Sequence, residues 1–333
     1  MARPAPATMN TPLHVQSDTE PLHMRIAIVG QQDFGKSVLE AFIARGDEVT
    51  GVFCAPEKEG AKADPLKVAA LEKGLKVFQF PSLRAQEAGD ALRSLNADIG
   101  IMAFVLQFAP QDFVNIPRKG TIQFHPSLLP KYRGPSSINW PIIRGDTKTG
   151  LTIFRPTDGL DEGPVILQKE TAIGRDDTLG SVYFDRLFPL GVKAMLEAAD
   201  LVMAGKQKET VQNESAASYE GWCRTAEARI NWANHVDFIH NLIRGCNPAP
   251  GAWTSLGGKK LQIFDCRKQV FRTFGAVKGK IGEVSQIGTE SFFVTAQGGR
   301  IEVLKAKHED GKKVFAGELA TALGITTGTA LGT

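Results

Sequence analysis

The strongest constraint on this chain is an alternation of pattern in its first 125 residues. Short apolar runs at Arg25–Val29, Val49–Phe53, Val77–Phe80, Ile99–Phe104 and Thr121–Phe124 are separated by stretches with helical spacing. Gly35–Arg45 places Val38, Leu39, Phe42 and Ile43 on one face. Asp64 caps a second helix that starts at Pro65 and runs to Lys73, and Leu83–Leu95 reads as a third. Continuous apolar strands with helices between them predict a parallel sheet covered on both faces, an α/β fold of Rossmann-like kind. In such sheets ligands sit beyond the carboxyl ends of the strands.

From about residue 150 the pattern changes. Leu151–Phe154 and Val165–Lys169 read as paired strands around a polar turn, PTDGLDEG, at 156–163. A long helix is expected from Thr178 to Ala204, ended by Gly205. The next stretch, KQKETVQNESAASYEGWCR, is polar and reads as a linker over 206–224. Beyond it, one helix near His235–Arg244 precedes glycine-punctuated strands at Leu261–Cys266, Ile281–Ser285, Ser291–Thr295 and Arg300–Val303. These predict a small β-barrel of OB-like kind. The expected organisation is therefore a disordered tail over 1–23, a catalytic α/β domain over 24–205, the linker, and a β-barrel domain over 225–325.

Composition excludes several classes. The 333 residues are 42% hydrophobic and 23% charged, ordinary values for a globular chain with a sizeable core. No apolar run approaches the roughly 18 residues that span a bilayer. The tail holds three prolines before position 13 and no apolar stretch, so it is not a secretory signal, and Met9 and Met24 are alternative start candidates. Four cysteines, at 54, 223, 246 and 266, form no C-x-x-C pair, which argues for free thiols in a reducing, cytoplasmic setting. Residues 225–333 hold 14 Lys+Arg against 9 Asp+Glu, a net of +5, whereas the whole chain is +3. This concentration leaves a phosphate-rich partner such as tRNA open, although Lys259-Lys260 and Lys278/Lys280 fit a solvated face equally well.

GQQDFGKS, residues 30–37, satisfies the phosphate-cradling pattern G-x-x-x-x-G-K-[ST]. A working nucleotide site also needs a carboxylate for Mg²⁺ near the end of an apolar strand. The N-terminal strands instead end in Val29-Gly30, Phe53-Cys54, Phe104-Val105 and Phe124-His125. A P-loop using Lys36 is thus the weaker alternative. Gly30 and Gly35 are expected to serve a tight bend and a close helix contact.

Chemistry is better signalled by TIQFHPSLLPKYRGPSSINW, residues 121–140. His125 falls at the carboxyl end of a strand, Pro126 and Pro130 stiffen the loop, and a helix is expected near Pro135. Downstream, Asp158, Asp161 and Glu162 crowd one glycine-flanked turn. Three carboxylates so close are not all comfortably buried as ions, so an acid–base group and a solvated acidic turn both fit. The spacing does not match a calcium loop. His235 and His240 are five apart, not the four of a helical metal pair, and no metal is expected.

HPSLLPKYRGPSSINW, followed by GDTKTGLTIF and DGLDEGPVILQKE, resembles the 10-formyltetrahydrofolate-dependent formyltransferase and hydrolase family. So do GVFCAPEKEGAKADP (51–65), ARINWANHVDFIHNLIRG (228–245) and PGAWT (250–254). The resemblance runs from about Met24 to 320. It is strongest to the hydrolase domain of 10-formyltetrahydrofolate dehydrogenases, then to methionyl-tRNA formyltransferases. It implies 10-formyltetrahydrofolate as co-substrate, with the formyl group passing to water or to an amine such as that of methionyl-tRNA. It also implies His125 and Asp161 as catalytic residues, folate contacts from Ser127, Leu128, Leu129 and Pro130, and a pterin-holding segment at Gln107, Phe108 and Ala109. Transferases carry asparagine two residues before the histidine and the dehydrogenase domain an apolar residue; this chain has Gln123. Formyl transfer passes through a tetrahedral centre whose oxygen becomes negative, so His125 and the Gln123 amide are the expected donors. Asp161 is expected to orient His125 and accept the nucleophile's proton.

Overall fold

A computed structural model of the chain describes residues 23–273, 279–309 and 311–332. The expected tail lies outside these apart from His23, as does Lys278. The first unit comprises β1 (Arg25–Gly30), α1 (Gln32–Arg45), β2 (Glu48–Phe53), α2 (Pro65–Glu72), β3 (Val77–Phe78), α3 (Gln86–Ser94), β4 (Ile99–Ala103), α4 (Gln111–Val114) and β5 (Thr121–His125). It continues with α5 (Asn139–Arg144), β6 (Lys148–Phe154), β7 (Val165–Ala172), α6 (Leu179–Val182) and α7 (Phe188–Met203). One sheet runs β3-β2-β1-β4-β5-β6-β7, with the first five strands parallel.

Both faces of that sheet are covered, as continuous apolar strands require. Ile26, Ile28, Ile122 and Phe124 join Phe34 and Phe42 of α1 and Ala198 of α7 in one core. Ala27, Val29 and Met102 join Leu92 of α3 and Phe113 of α4 in the other. Side chains alternate along a strand, so Gln123 and His125 face away from the core that Ile122 and Phe124 enter.

Two antiparallel strands complete the sheet, β6 against β5 and β7 against β6, the latter being the paired strands expected around the 156–163 turn. After β5 the chain does not cross back over the sheet. α5 stays beyond the carboxyl edge, so β6 enters from the side that β5 left. The helix expected near Pro135 starts only at Asn139, because the Arg133 backbone is engaged elsewhere. Its N–H donates to Ser218 O and its carbonyl accepts from Glu220 N. The long helix expected over 178–204 is broken by a π turn at Tyr183–Leu187, directly before Pro189, which has no N–H to offer a regular turn. Gly205 ends it at φ +65°, as the glycine implied.

The second unit contains α8 (Val236–Gly245), β8 (Ala252–Leu256), β9 (Lys259–Val270), β10 (Val284–Ile287), β11 (Phe292–Ala296), β12 (Gly299–His308), β13 (Val314–Phe315) and α9 (Ala316–Ala322). Its strands order β10-β11-β12-β9-β8, with β13 on β12, and all these pairings are antiparallel. β8 and α9 were not expected from the sequence. Trp232, Ile243, Phe292 and Ile301 form the core beneath α8. The two units meet where α5 packs on α8. A Cβ on Gly245 would fall 2.6 Å from Ile143 Cγ1, and Asn139 Nδ2 donates to Gly245 O at 2.9 Å. Among the described residues no helix is long and apolar enough to cross a membrane.

Candidate active site

At the carboxyl ends of β4 and β5 lies a cavity of about 330 Å³. Gln123, His125 and Asp161 line it, and so do Phe104 to Ala109. An apolar rim of Phe104, Leu106, Phe108, Leu160 and Trp222, each 40–57% exposed, surrounds its mouth.

His125 and Asp161 are 5% and 8% exposed. The ring Nε2 lies 2.9 Å from Tyr132 O. A carbonyl only accepts, so Nε2 carries hydrogen and donates. That leaves Nδ1 facing Asp161 Oδ2 at 3.5 Å. That spacing exceeds an ordinary hydrogen bond and leaves room for a third atom to approach both groups.

The turn after β6 brings Asp161 here. Its backbone adopts φ +54°, a left-handed conformation rare for a residue with a side chain. Its Oδ2 accepts from Gly134 N at 2.9 Å. Gly134 sits at φ +102°, and a Cβ there would fall 2.4 Å from Glu220 O. Asp158 and Glu162 are exposed, so the crowded turn resolves into one buried carboxylate and two solvated ones.

The other expected positions divide. Gln123 is half-buried on the cavity wall, and among the described residues its amide has no hydrogen-bond partner. Gln107, Phe108 and Ala109 also line the cavity. The Gln107 amide donates to Phe80 O at 2.8 Å and Pro81 O at 3.1 Å, while the Arg84 guanidinium lies 4.4 Å over the Phe108 ring. The loop Ser127, Leu128, Leu129 and Pro130, for which the resemblance implies folate contacts, follows His125 directly and is not part of this cavity's lining. Fully buried Ser127 donates through Oγ to Lys131 O at 2.7 Å and accepts at its carbonyl from Thr152 Oγ1, also at 2.7 Å. Leu129 N donates to Thr152 Oγ1 at 3.1 Å, and the Pro130 carbonyl accepts from Ser218 N. β6 has captured this loop's polar groups; of its neighbours, Pro126 reaches the cavity.

The linker does more than join the two units. It closes over the site: Trp222 is part of the cavity wall, and Gln212 is 6% exposed against the turn that carries Asp161. Arg133, also buried, is fastened to Glu214 at 2.7 and 2.9 Å, and that carboxylate holds the guanidinium above its ordinary pKa. A polar run with no apolar period carries no sequence signal for such packing.

The phosphate-loop pattern is not a loop. α1 begins at Gln32, immediately past the end of β1, so Gly35 already lies inside the helix. A Cβ on Gly30 would sit 2.3 Å from Ala103 O. The Gln32 N–H, where a phosphate would have to bind, is taken by both Asp64 carboxylate oxygens at 2.9 Å. Lys36 points to Glu40 at 4.0 Å. Elsewhere, His235 caps α8 by accepting from Asp237 N, and His240 is buried against α8's own neighbours. Among the described residues no group of three His, Cys, Asp or Glu side chains is placed to hold a metal ion.

An α/β sheet with a buried His–Asp pair at its carboxyl edge, joined to an antiparallel β unit through a linker that closes the site, defines a two-part group-transfer architecture. The formyl transferase family model matches residues 24–199, and the formyl transferase C-terminal domain model matches 223–323. The chain belongs to the formyl transferase family. It is 45% identical over 249 residues to a cytosolic 10-formyltetrahydrofolate dehydrogenase of Mus musculus, an alignment covering 73% of this chain and 27% of that protein. The chain thus spans about a quarter of the length of these dehydrogenases. To a methionyl-tRNA formyltransferase of Syntrophus aciditrophicus (strain SB) it is 33% identical over 312 residues, 92% of this chain and 98% of that one. The fold is shared with HypX from Aquifex aeolicus in complex with tetrahydrofolic acid, at TM-score 0.64 and 19% identity over 90% of this chain and 47% of that one. It is shared equally with an N-formyltransferase from Helicobacter canadensis, at TM-score 0.64 and 19% identity over 84% and 99%.

Proposed function

We propose that the cavity takes the formyl-bearing end of 10-formyltetrahydrofolate and that the chain transfers this formyl group to water, releasing formate and tetrahydrofolate. The observation that carries the reading is the His125–Asp161 pair, buried side by side on the wall of the cavity. Its size suits a flat heterocycle with a short substituent. The Asp161 carboxylate takes a proton from water as its oxygen attacks the formyl carbon. Nδ1–H of His125 and the Gln123 amide donate to the oxygen that becomes negative, and the tetrahedral centre then collapses as the C–N10 bond breaks, the proton held by Asp161 passing to N10 of the departing folate. A donor so placed contributes about 10²–10³ in rate and acid–base help about 10²–10⁴. Gln107, Phe108 and Ala109 form the wall against which the pterin end packs. The Ser127–Pro130 loop, next to His125 and fastened by Thr152, is the further folate contact that family membership implies. The 45% identity to the dehydrogenase relative favours water as acceptor. The four free cysteines suit a reducing compartment such as the cytoplasm.

A second acceptor, the amino group of methionyl-tRNA, is favoured by the full-length match to a methionyl-tRNA formyltransferase and by the unpartnered Gln123 amide. One experiment separates the two. The purified chain is incubated with 10-formyltetrahydrofolate, with and without charged initiator tRNA, and tetrahydrofolate and formate are quantified. Equal release without tRNA supports hydrolysis. Release only with tRNA moves the acceptor to the amine, and no release in either case overturns both.

A further inference from the structure

Gln212 lies in the segment joining the two sheets, yet its amide is engaged on both sides. Oε1 accepts from Arg133 Nε at 3.2 Å and from Arg133 Nη2 at 2.9 Å. Nε2 donates to the carbonyls of Asp161 and Gly163, each at 2.8 Å. Both donors and both acceptor positions of a primary amide are thereby used. The two carbonyls bracket Glu162 and fix the backbone that holds Asp161 at φ +54°. Arg133 is fixed in turn. Its backbone N–H donates to Ser218 O at 2.9 Å, and its carbonyl accepts from Glu220 N at 3.0 Å. The next residue, Gly134, is the one whose N–H holds the Asp161 carboxylate, at 2.9 Å. Asp161 is therefore held at its main chain by Gln212 and at its carboxylate by Gly134, and both are keyed to Arg133.

We propose that Gln212 is a positioning residue that sets the Asp161 carboxylate against His125, which makes the interdomain segment a part of the reaction centre. Gln212 does not line the cavity, so its effect passes through Asp161 and not through substrate contact. The amide is the chemically required group. A carboxylate there would keep its acceptors for Arg133 but turn a lone pair toward two carbonyls. An apolar side chain would leave Arg133 Nε and both carbonyls buried without partners. The inference rests on His125 and Asp161 being the reacting pair.

The test uses the full chain with Gln212→Glu and Gln212→Asn, following 10-formyltetrahydrofolate turnover and tetrahydrofolate affinity beside near-UV circular dichroism. Gln212→Glu is expected to lower kcat about 10- to 100-fold, the scale of a misplaced catalytic group, with KM and tetrahydrofolate affinity within about twofold of wild type. Gln212→Asn, which keeps the chemistry but withdraws it by one methylene, is expected to lower kcat about fivefold or more and serves if the glutamate variant does not fold. Wild-type kcat in either folded variant, or a loss confined to KM, overturns the role of Gln212 alone. An inactive wild-type chain overturns the reaction assigned above and this role with it.

Discussion

Two turns leave the same edge of the sheet and invite opposite conclusions. The turn after β1 matches a well-known phosphate pattern at every fixed position, and the turn after β5 matches no short catalytic pattern. In the folded chain the first is scaffold. Its glycine lies against the β4 backbone, its helix starts at once, and a carboxylate of the chain itself caps that helix. The second carries a buried histidine whose two ring nitrogens each face a polar group. Burial of a titratable side chain with defined partners is costly unless those partners fit, so it marks chemistry better than spacing does.

The contrast breaks most directly at the β5 turn. His125→Ala and Asp161→Ala are each expected to lower 10-formyltetrahydrofolate turnover by about 10²–10⁴. Turnover within a factor of two of wild type in a folded variant would remove the distinction between the turns.

A buried histidine outside both turns sharpens it. Burial first, then Lys268 and Arg244, pulls His240 from 6.5 down to about 4. Between those values the unfolded chain binds the proton and the folded chain does not. Stability is therefore full above pH 6.5 and lost as the pH falls toward 4. Denaturant titrations at pH 7 and pH 4.5 are expected to differ by up to roughly 3 kcal/mol more in wild type than in His240→Asn, with turnover at pH 7 near wild type in that variant.

The same substitution can next be made in each turn. Gly30→Ala places a Cβ against Ala103 O and is expected to cost about 1–3 kcal/mol of stability, leaving kcat of the folded fraction near wild type. Gly134→Ala meets Glu220 O at a left-handed backbone position and is expected to lose comparable stability, about 1–3 kcal/mol, together with kcat. Unfolding curves paired with turnover would show whether activity loss is confined to the β5 turn. Smallest of all, Lys36→Ala is expected to change stability by less than about 0.5 kcal/mol and turnover not at all. Loss of folate turnover, or Mg²⁺-dependent ATP binding in wild type that this variant abolishes, would restore the phosphate reading.

Most of the strand–helix alternation was legible because continuous apolar runs and caps such as Asp64 before Pro65 act locally. The reversal at β6 was not, since direction depends on where α5 packs. At the site, His125 and Asp161 could be named only from the family resemblance, and their approach depends on a left-handed turn that no local pattern encodes. How the Ser127–Pro130 loop is fastened was not legible, because Thr152, two elements away, supplies its partner. Gln212 was invisible because a polar residue in a polar run is silent until its partners are in place.

The Gln212 contacts also order events during synthesis. A chain leaves the ribosome amino end first and folds its early domain as it emerges. His125 and Asp161 are both exposed to the growing fold some fifty residues before Gln212 is made, for the latter lies 51 positions beyond Asp161. On the role proposed for Gln212, the α/β sheet of a nascent chain has its Asp161 turn unfastened until the crossing segment has been laid down, and it is not yet a catalyst.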